Sequence, residues 1–209
     1  MLRSFLVFVG LVACWPARAG ERCHPPDAEG DSYCEVGIPS ERLEPVTAQQ
    51  KMSQWCWAAS ISMLFAFHGH PVAQERIVAG IWGHLADLPA PTGGTMSDAL
   101  ARPWRDDRGH PFRARIRVFD AGAGEYGLDE EAVIDELRAE RPLLVGTAGH
   151  AMVVTALTYV KDPSGFTQVV SVIVRDPWPG RGRRALSWEE MEPQYVAAVD
   201  IARRPASDR

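Results

Sequence analysis

The stretch Gln49–Ser60, QQKMSQWCWAAS, sets a thiol between two indoles at the point where the chain turns apolar. From there CWAASISMLFAF places Trp57, Ile61, Leu64, Phe65 and His68 at the i, i+4, i+7, i+8 and i+11 spacing of one helix face, so a helix is predicted to begin at Cys56. A sulfur at a helix start meets unpaired N–H groups and the positive end of the helix dipole. Both favour thiolate over thiol near neutral pH. A lone cysteine otherwise serves as a small buried hydrophobe, so a nucleophile needs a base and its partners elsewhere in the chain.

The other cysteines narrow the assignment. Met1–Arg3 is a short basic start, Phe5–Cys14 an apolar run, and Ala17–Arg18–Ala19 an Ala-x-Ala site, which together predict a signal peptide over residues 1–19. Leu11–Val12–Ala13–Cys14 overlaps it as a lipobox, in which Cys14 would carry a lipid. Both processing routes lead out of the cytoplasm, to a secreted or periplasmic chain or to one anchored through Cys14. Cys23, Cys34 and Cys56 then remain in an oxidising compartment. Cys23 and Cys34 flank HPPDAEGDSY, a stretch without apolar periodicity that a disulfide would hold closed, and their pairing leaves Cys56 free. The formal charge of −5 becomes −7 once Arg3 and Arg18 are removed, and an acidic chain argues against a nucleic-acid partner. No later segment is long and apolar enough to span a bilayer.

Of six histidines, His24, His68, His70, His84 and His110 lie in loops or just past the helix. His150 differs. It follows Gly149 and opens HAMVVTALTYV, an apolar, β-branched run predicted to be a central strand that would hold the ring rigidly at a sheet edge, as a general base requires. After the turn Lys161–Gly165, FTQVVSVIVR predicts a second strand ending at Asp176. Antiparallel pairing through that turn brings Asp176 beside His150, where a carboxylate can accept the ring N–H and stabilise imidazolium. A side-chain amide upstream of the thiol can join the Cys56 N–H in holding an oxyanion, and Gln49, Gln50 and Gln54 all have that chemistry.

In these positions the chain resembles a papain-like cysteine peptidase of the bacterial AvrRpt2-type and C39-like group. The resemblance rests on Gln50 six residues before Cys56, the Trp-Cys-Trp-Ala-Ala helix start, Gly149–His150–Ala151 opening a strand and Asp176 ending the next, and it spans Glu44 to Asp200. It implies an α+β papain-like fold, the nucleophile helix packed on an antiparallel sheet carrying His and Asp. It also implies a Cys56–His150–Asp176 triad, selects Gln50 by its spacing for the oxyanion hole, and gives Trp178 the role of shielding the His–Asp pair. Asp176 stands where papain itself has asparagine. The implied activity is peptide-bond hydrolysis by an exported enzyme on a peptide or protein substrate, without metal or other cofactor. Deamidation or transamidation by the same triad, and a silent binding domain of the same fold, are the alternatives.

The domain reading is a signal peptide at 1–19, a disulfide-closed segment at 20–43, the peptidase domain at 44–203 and a tail at 204–209. Within the domain a helix is predicted over Val72–Ile81 and an amphipathic one over Leu128–Glu140, with Val133, Ile134 and Leu137 inward. Leu88–Thr95, LPAPTGGT, reads as an irregular connector, either bordering a cleft or an ordinary surface turn. Phe112, Ala114, Ile116 and Val118 alternate with Arg113, Arg115 and Arg117 as a half-buried strand whose basic face is solvated or meets acidic substrate. LLVGTA predicts a short strand before His150, Ser187–Glu190 has capping-box spacing and YVAAVDI predicts a closing strand. His68 and His70 have metal-ligand spacing but no evident third ligand.

Overall fold

A computed structural model describes residues 20–201. The signal peptide, the Cys14 lipobox and the tail at 204–209 lie outside the described residues. In chain order the elements are β1 (Glu21–Cys23), β2 (Ser32–Gly37), the single turn α1 (Ser40–Leu43), α2 (Cys56–Phe67), α3 (Gln74–Trp82), α4 (Gly93–Ala101), β3 (Trp104–Arg105), β4 (Pro111–Phe112), β5 (Ala114–Asp120), β6 (Glu125–Tyr126), α5 (Glu130–Arg138), β7 (Leu143–Thr147), β8 (His150–Lys161), β9 (Thr167–Asp176), β10 (Gly182–Ala185) and β11 (Tyr195–Ile201). Short 3-10 turns at Glu44–Val46 and Trp188–Met191 complete them. The chain is α+β, as the sequence predicts.

Nine strands form one sheet in the path β1-β2-β8-β7-β11-β5-β6, with β9 on β8 and β10 on β9, every pairing antiparallel. The 12-residue β8 organises it. β9 runs along one side, while the other side is shared by β7 at His150–Val154 and by β2 at Ala156–Lys161. Alternation along the central strands sends Leu144, Ala151, Val153, Ala197 and Val199 to the face covered by α2, α3 and α4. Leu143, Val145, Met152, Val154 and Ala198 face the other way, onto Ile134 and Leu137 of α5. A strand buried on both faces reads as a continuous apolar run, as β8 does.

The helix at Cys56 starts where its spacing predicts, but it is buried nearly all round rather than on one face. Trp57, Ala58, Ala59, Ser60, Ile61, Met63, Leu64 and Phe65 are all buried, because the sheet lies on one side and α3 and α4 on the other. Burying each of its larger side chains contributes about 1.5–3 kcal/mol, so the position of Cys56 is fixed by the core beneath it. The Leu88–Thr95 connector is shorter than the sequence suggests. α4 already begins at Gly93, capped by Thr92, whose hydroxyl accepts the Thr95 N–H at 3.2 Å. The 20–43 segment holds the Cys23–Cys34 disulfide at a cross-strand pair of β1 and β2, and β2 joins the main sheet.

Candidate active site

The two indoles flanking Cys56 hold the Cys56 segment to a neighbouring loop. Trp55 Nε1 donates to the Ala86 carbonyl at 2.8 Å and Trp57 Nε1 to the Leu88 carbonyl at 3.1 Å. Between them the Asp87 carboxylate accepts the Ser53 hydroxyl at 2.6 Å and the Gln54 N–H at 2.8 Å. The loop continues through Pro89–Thr92, which line a cleft of about 590 Å³ together with Cys56, Trp57, His150 and Ala151. Each indole thus buries an apolar body in the core and directs its N–H to the loop that leads into the cleft lining.

His150 is the first residue of β8, placed there by a two-residue turn from β7. Both turn residues have positive φ, Ala148 at 49° and Gly149 at 72°, the geometry of a tight hairpin turn that matches strand twist. Gln194 Oε1 accepts the Ala148 N–H at 3.0 Å. Ser60 on α2 donates to the Ala151 carbonyl at 3.1 Å, tying the helix that carries Cys56 to the strand that carries His150. His150 Nε2 lies 2.7 Å from Asp176 Oδ1, which leaves Nδ1 for the sulfur.

Asp176 has a fully buried side chain and four partners. Oδ1 accepts the Trp178 N–H at 2.8 Å as well as His150, and Oδ2 accepts Arg184 Nε at 2.7 Å, with Arg181 Nη1 at 3.6 Å. Arg184, on β10, also forks onto both oxygens of Glu190 at 2.7 Å each. Sequence reasoning missed Arg184. Its signal is Arg-Arg after a glycine turn, which looks like any solvated strand until β10 is known to pair with the strand that ends at Asp176.

Electrostatics follow from these contacts. Burial pushes the Cys56 thiol up, but the His150 hydrogen bond and charge and the Ala151 and Trp57 N–H groups outweigh it, leaving the thiol below its ordinary value. Desolvation acts to lower His150, yet hydrogen bonds and charge from Asp176 and Cys56 push it up to about 9. Burial raises Asp176, and His150, the Trp178 N–H and Arg184 together hold it well below the usual carboxylate range. Both shifts favour the thiolate–imidazolium form of the pair over the neutral one.

The ancillary residues fall differently. The Trp178 ring meets the His150 ring edge-on at 6.3 Å between centroids and remains 44% exposed, so it covers one side of the pair. Gln50 is buried and its N–H is anchored to the Pro177 carbonyl at 2.8 Å, just past Asp176. Its Nε2 donates to the Met52 and Ser53 carbonyls, both at 2.9 Å, and Oε1 has no partner among the described residues. Gln54, not Gln50, lines the cleft, and Gln49 offers its carbonyl to Gln74. His70 is directed at Asp106 and stacked on Phe112, and among the described residues there is no group of three ligands for a metal.

The family described as papain-like cysteine protease AvrRpt2 matches residues 40–195. The chain belongs to that family. As a member it is a papain-like cysteine peptidase, and its matched span runs from α1 to the start of β11. No curated protein matches it. Among solved structures, this AvrRpt2-family chain is similar to a double glycine motif protease from an AMS/PCAT transporter in complex with the leader peptide, at 16% identity over 73% of this chain and 89% of that one, TM-score 0.41. The peptidase domain of Streptococcus ComA, a bifunctional ABC transporter, aligns at 15% over 75% and 97%, TM-score 0.46. UfSP from C. elegans aligns at 12% over 75% and 32%, TM-score 0.42.

Proposed function

We propose that this AvrRpt2-family chain is an exported peptidase acting through Cys56, His150 and Asp176 on a peptide or protein substrate. The Cys56 thiolate attacks the carbonyl carbon, and the oxyanion is held by the Cys56 N–H and by Gln50, one of whose amide protons leaves a backbone carbonyl to reach it. His150 imidazolium protonates the leaving amine as the C–N bond breaks. His150 then removes a proton from water, which attacks the thioester and releases the acid and the thiolate. The observation that carries this reading is the file of contacts from the Cys56 sulfur through His150 to Asp176, opening on the cleft. The Cys23–Cys34 bond supports export.

Two pH profiles test the proposal. Alkylation of Cys56 reports thiolate alone and should persist well below the pH at which an ordinary thiol stops reacting, with no decline on the alkaline side. Peptide turnover also needs protonated His150, so it should fall as pH rises through about 9. Cys56→Ala should remove both signals while leaving circular dichroism unchanged. Gln50→Ala should lower kcat by roughly 10²-fold, and a larger loss with Gln54→Ala would move the oxyanion donor to the cleft lining.

A further inference from the structure

The cleft floor is a row of directly paired residues. Ala151 on β8 pairs with Gly146 on β7, Gly146 with Tyr195 on β11, and Tyr195 with Asp120 on β5. All four line the cleft, so it runs across strand ends from the catalytic pair to Asp120. Three strand spacings amount to roughly 14 Å. Among the described residues, Asp120 supplies the only carboxylate in that lining. The residue is 5% exposed, and its Oδ1 accepts the Gly122 and Ala123 N–H groups at 3.0 and 3.1 Å. Oδ2 accepts no hydrogen bond from any described residue. It packs against the bare Cα of Gly93 at the start of α4, where an added Cβ would collide with it.

The Asp120 carboxylate thus brings to the cleft an oxygen with no hydrogen-bond donor among the described residues. We infer that Asp120 is the specificity determinant of a subsite for a basic substrate side chain, lysine or arginine, lying roughly two to four residues from the scissile bond. An extended peptide advances about 3.3 Å per residue, and the long basic side chain covers the remainder of the distance to Oδ2. The ammonium or guanidinium group completes the hydrogen bonding of Oδ2 with opposite charge, which favours that side chain over a neutral one of equal length. Its aliphatic stem lies along Tyr195, Met96 and the Gly146 floor.

This inference rests on the peptidase reading, and the test separates the two. A random peptide library is digested by the chain and the products sequenced, giving residue preference at each position. Lysine and arginine should be enriched at one position within that range, with cleavage about tenfold faster than for norleucine there. Asp120→Asn keeps an Oδ1 acceptor for the loop and should cleave the library without that enrichment. Glu125→Gln, an equal charge change on the exposed neighbouring strand β6, should retain it. Cleavage with no basic preference, or a preference that survives Asp120→Asn, overturns the subsite and leaves the peptidase intact. No cleavage at all overturns the peptidase reading, and the same library panned on Cys56→Ala then decides the subsite by whether basic peptides are retained. If Asp120→Asn does not fold, the unaltered chain answers: a lysine-to-norleucine ratio near one excludes the charge pair.

Discussion

Arg184 holds two carboxylates at once, Asp176 through Nε and Glu190 through its fork, and its side chain is 21% exposed. Charge-assisted bonds of this length are strong and directional, so the guanidinium fixes which Asp176 oxygen faces His150. Arg184→Gln removes a cation from the carboxylate while leaving the Trp178 N–H in place. The freed Asp176 charge acts more strongly on the imidazole and favours its protonated form. The alkaline limb of turnover should therefore move upward from about 9, while kcat falls about tenfold as the ring loses its fixed partner. Glu190→Gln should move the limb the other way, because Arg184 then neutralises Asp176 more fully. A purely structural arginine would lower thermal stability in both variants and shift neither limb. Gln50 marks the contrary case: its spacing from Cys56 is legible in the sequence, but the commitment of its amide protons to Met52 and Ser53 depends on a loop path that spacing does not encode.

The β7–β8 hairpin and the β8–β9 hairpin place the histidine and the aspartate by different means. The return of Asp176 to His150 is legible from the turn at Lys161–Gly165, yet it depends on two irregularities that the sequence does not announce. Val170 is an extra residue on β9 and Thr155 an extra residue on β8, so the register lost at one is regained at the other. With either bulge alone, a one-residue slip would turn Asp176 to the other face of the sheet. The turn before His150 is tighter and carries a conformational cost. Ala148 sits at φ 49°, a region where a Cβ costs about 1–2 kcal/mol. The bond from its N–H to Gln194 and the pairing of Thr147 with His150 hold it there. Ala148→Gly should relieve most of that cost and stabilise the chain by about 1 kcal/mol in urea unfolding. Unchanged or lower stability would mean that the turn relaxes when the methyl group is present. α4 escaped the sequence reading for a related reason: it opens on two glycines, poor helix formers, and Gly93 is required where Asp120 and Tyr195 leave no room for a side chain.

Across the whole molecule the sheet separates two cores, and the site draws on them unequally. Cys56 packs on the core shared by α2, α3 and α4, whereas Cys34 is 2% exposed in the core beneath α5, beside Val36, Leu157 and Tyr159. The sequence makes the apolar periodicity of both visible. It does not reveal that β2, from the N-terminal segment, occupies the half of β8 that β7 leaves unpaired, because such a pairing spans more than a hundred residues of chain and carries no local pattern. That arrangement predicts how the disulfide and the site divide. The Cys23–Cys34 bond joins β1 to β2, and β2 meets β8 only from Ala156 onward, beyond the His150 end. Closing so short a loop restricts the unfolded chain by about 2–3 kcal/mol. Replacing both cysteines with alanine should lower the unfolding free energy by that amount, since alanine leaves the buried Cys34 position apolar. The Cys56 alkylation rate at neutral pH should stay unchanged, because Asp176, His150, the Ala151 N–H and the start of α2 are held by β7, β9, β10 and the opposite core. A slowed alkylation in a variant that remains fully folded would show that strain travels along β8 from the disulfide end to the thiolate.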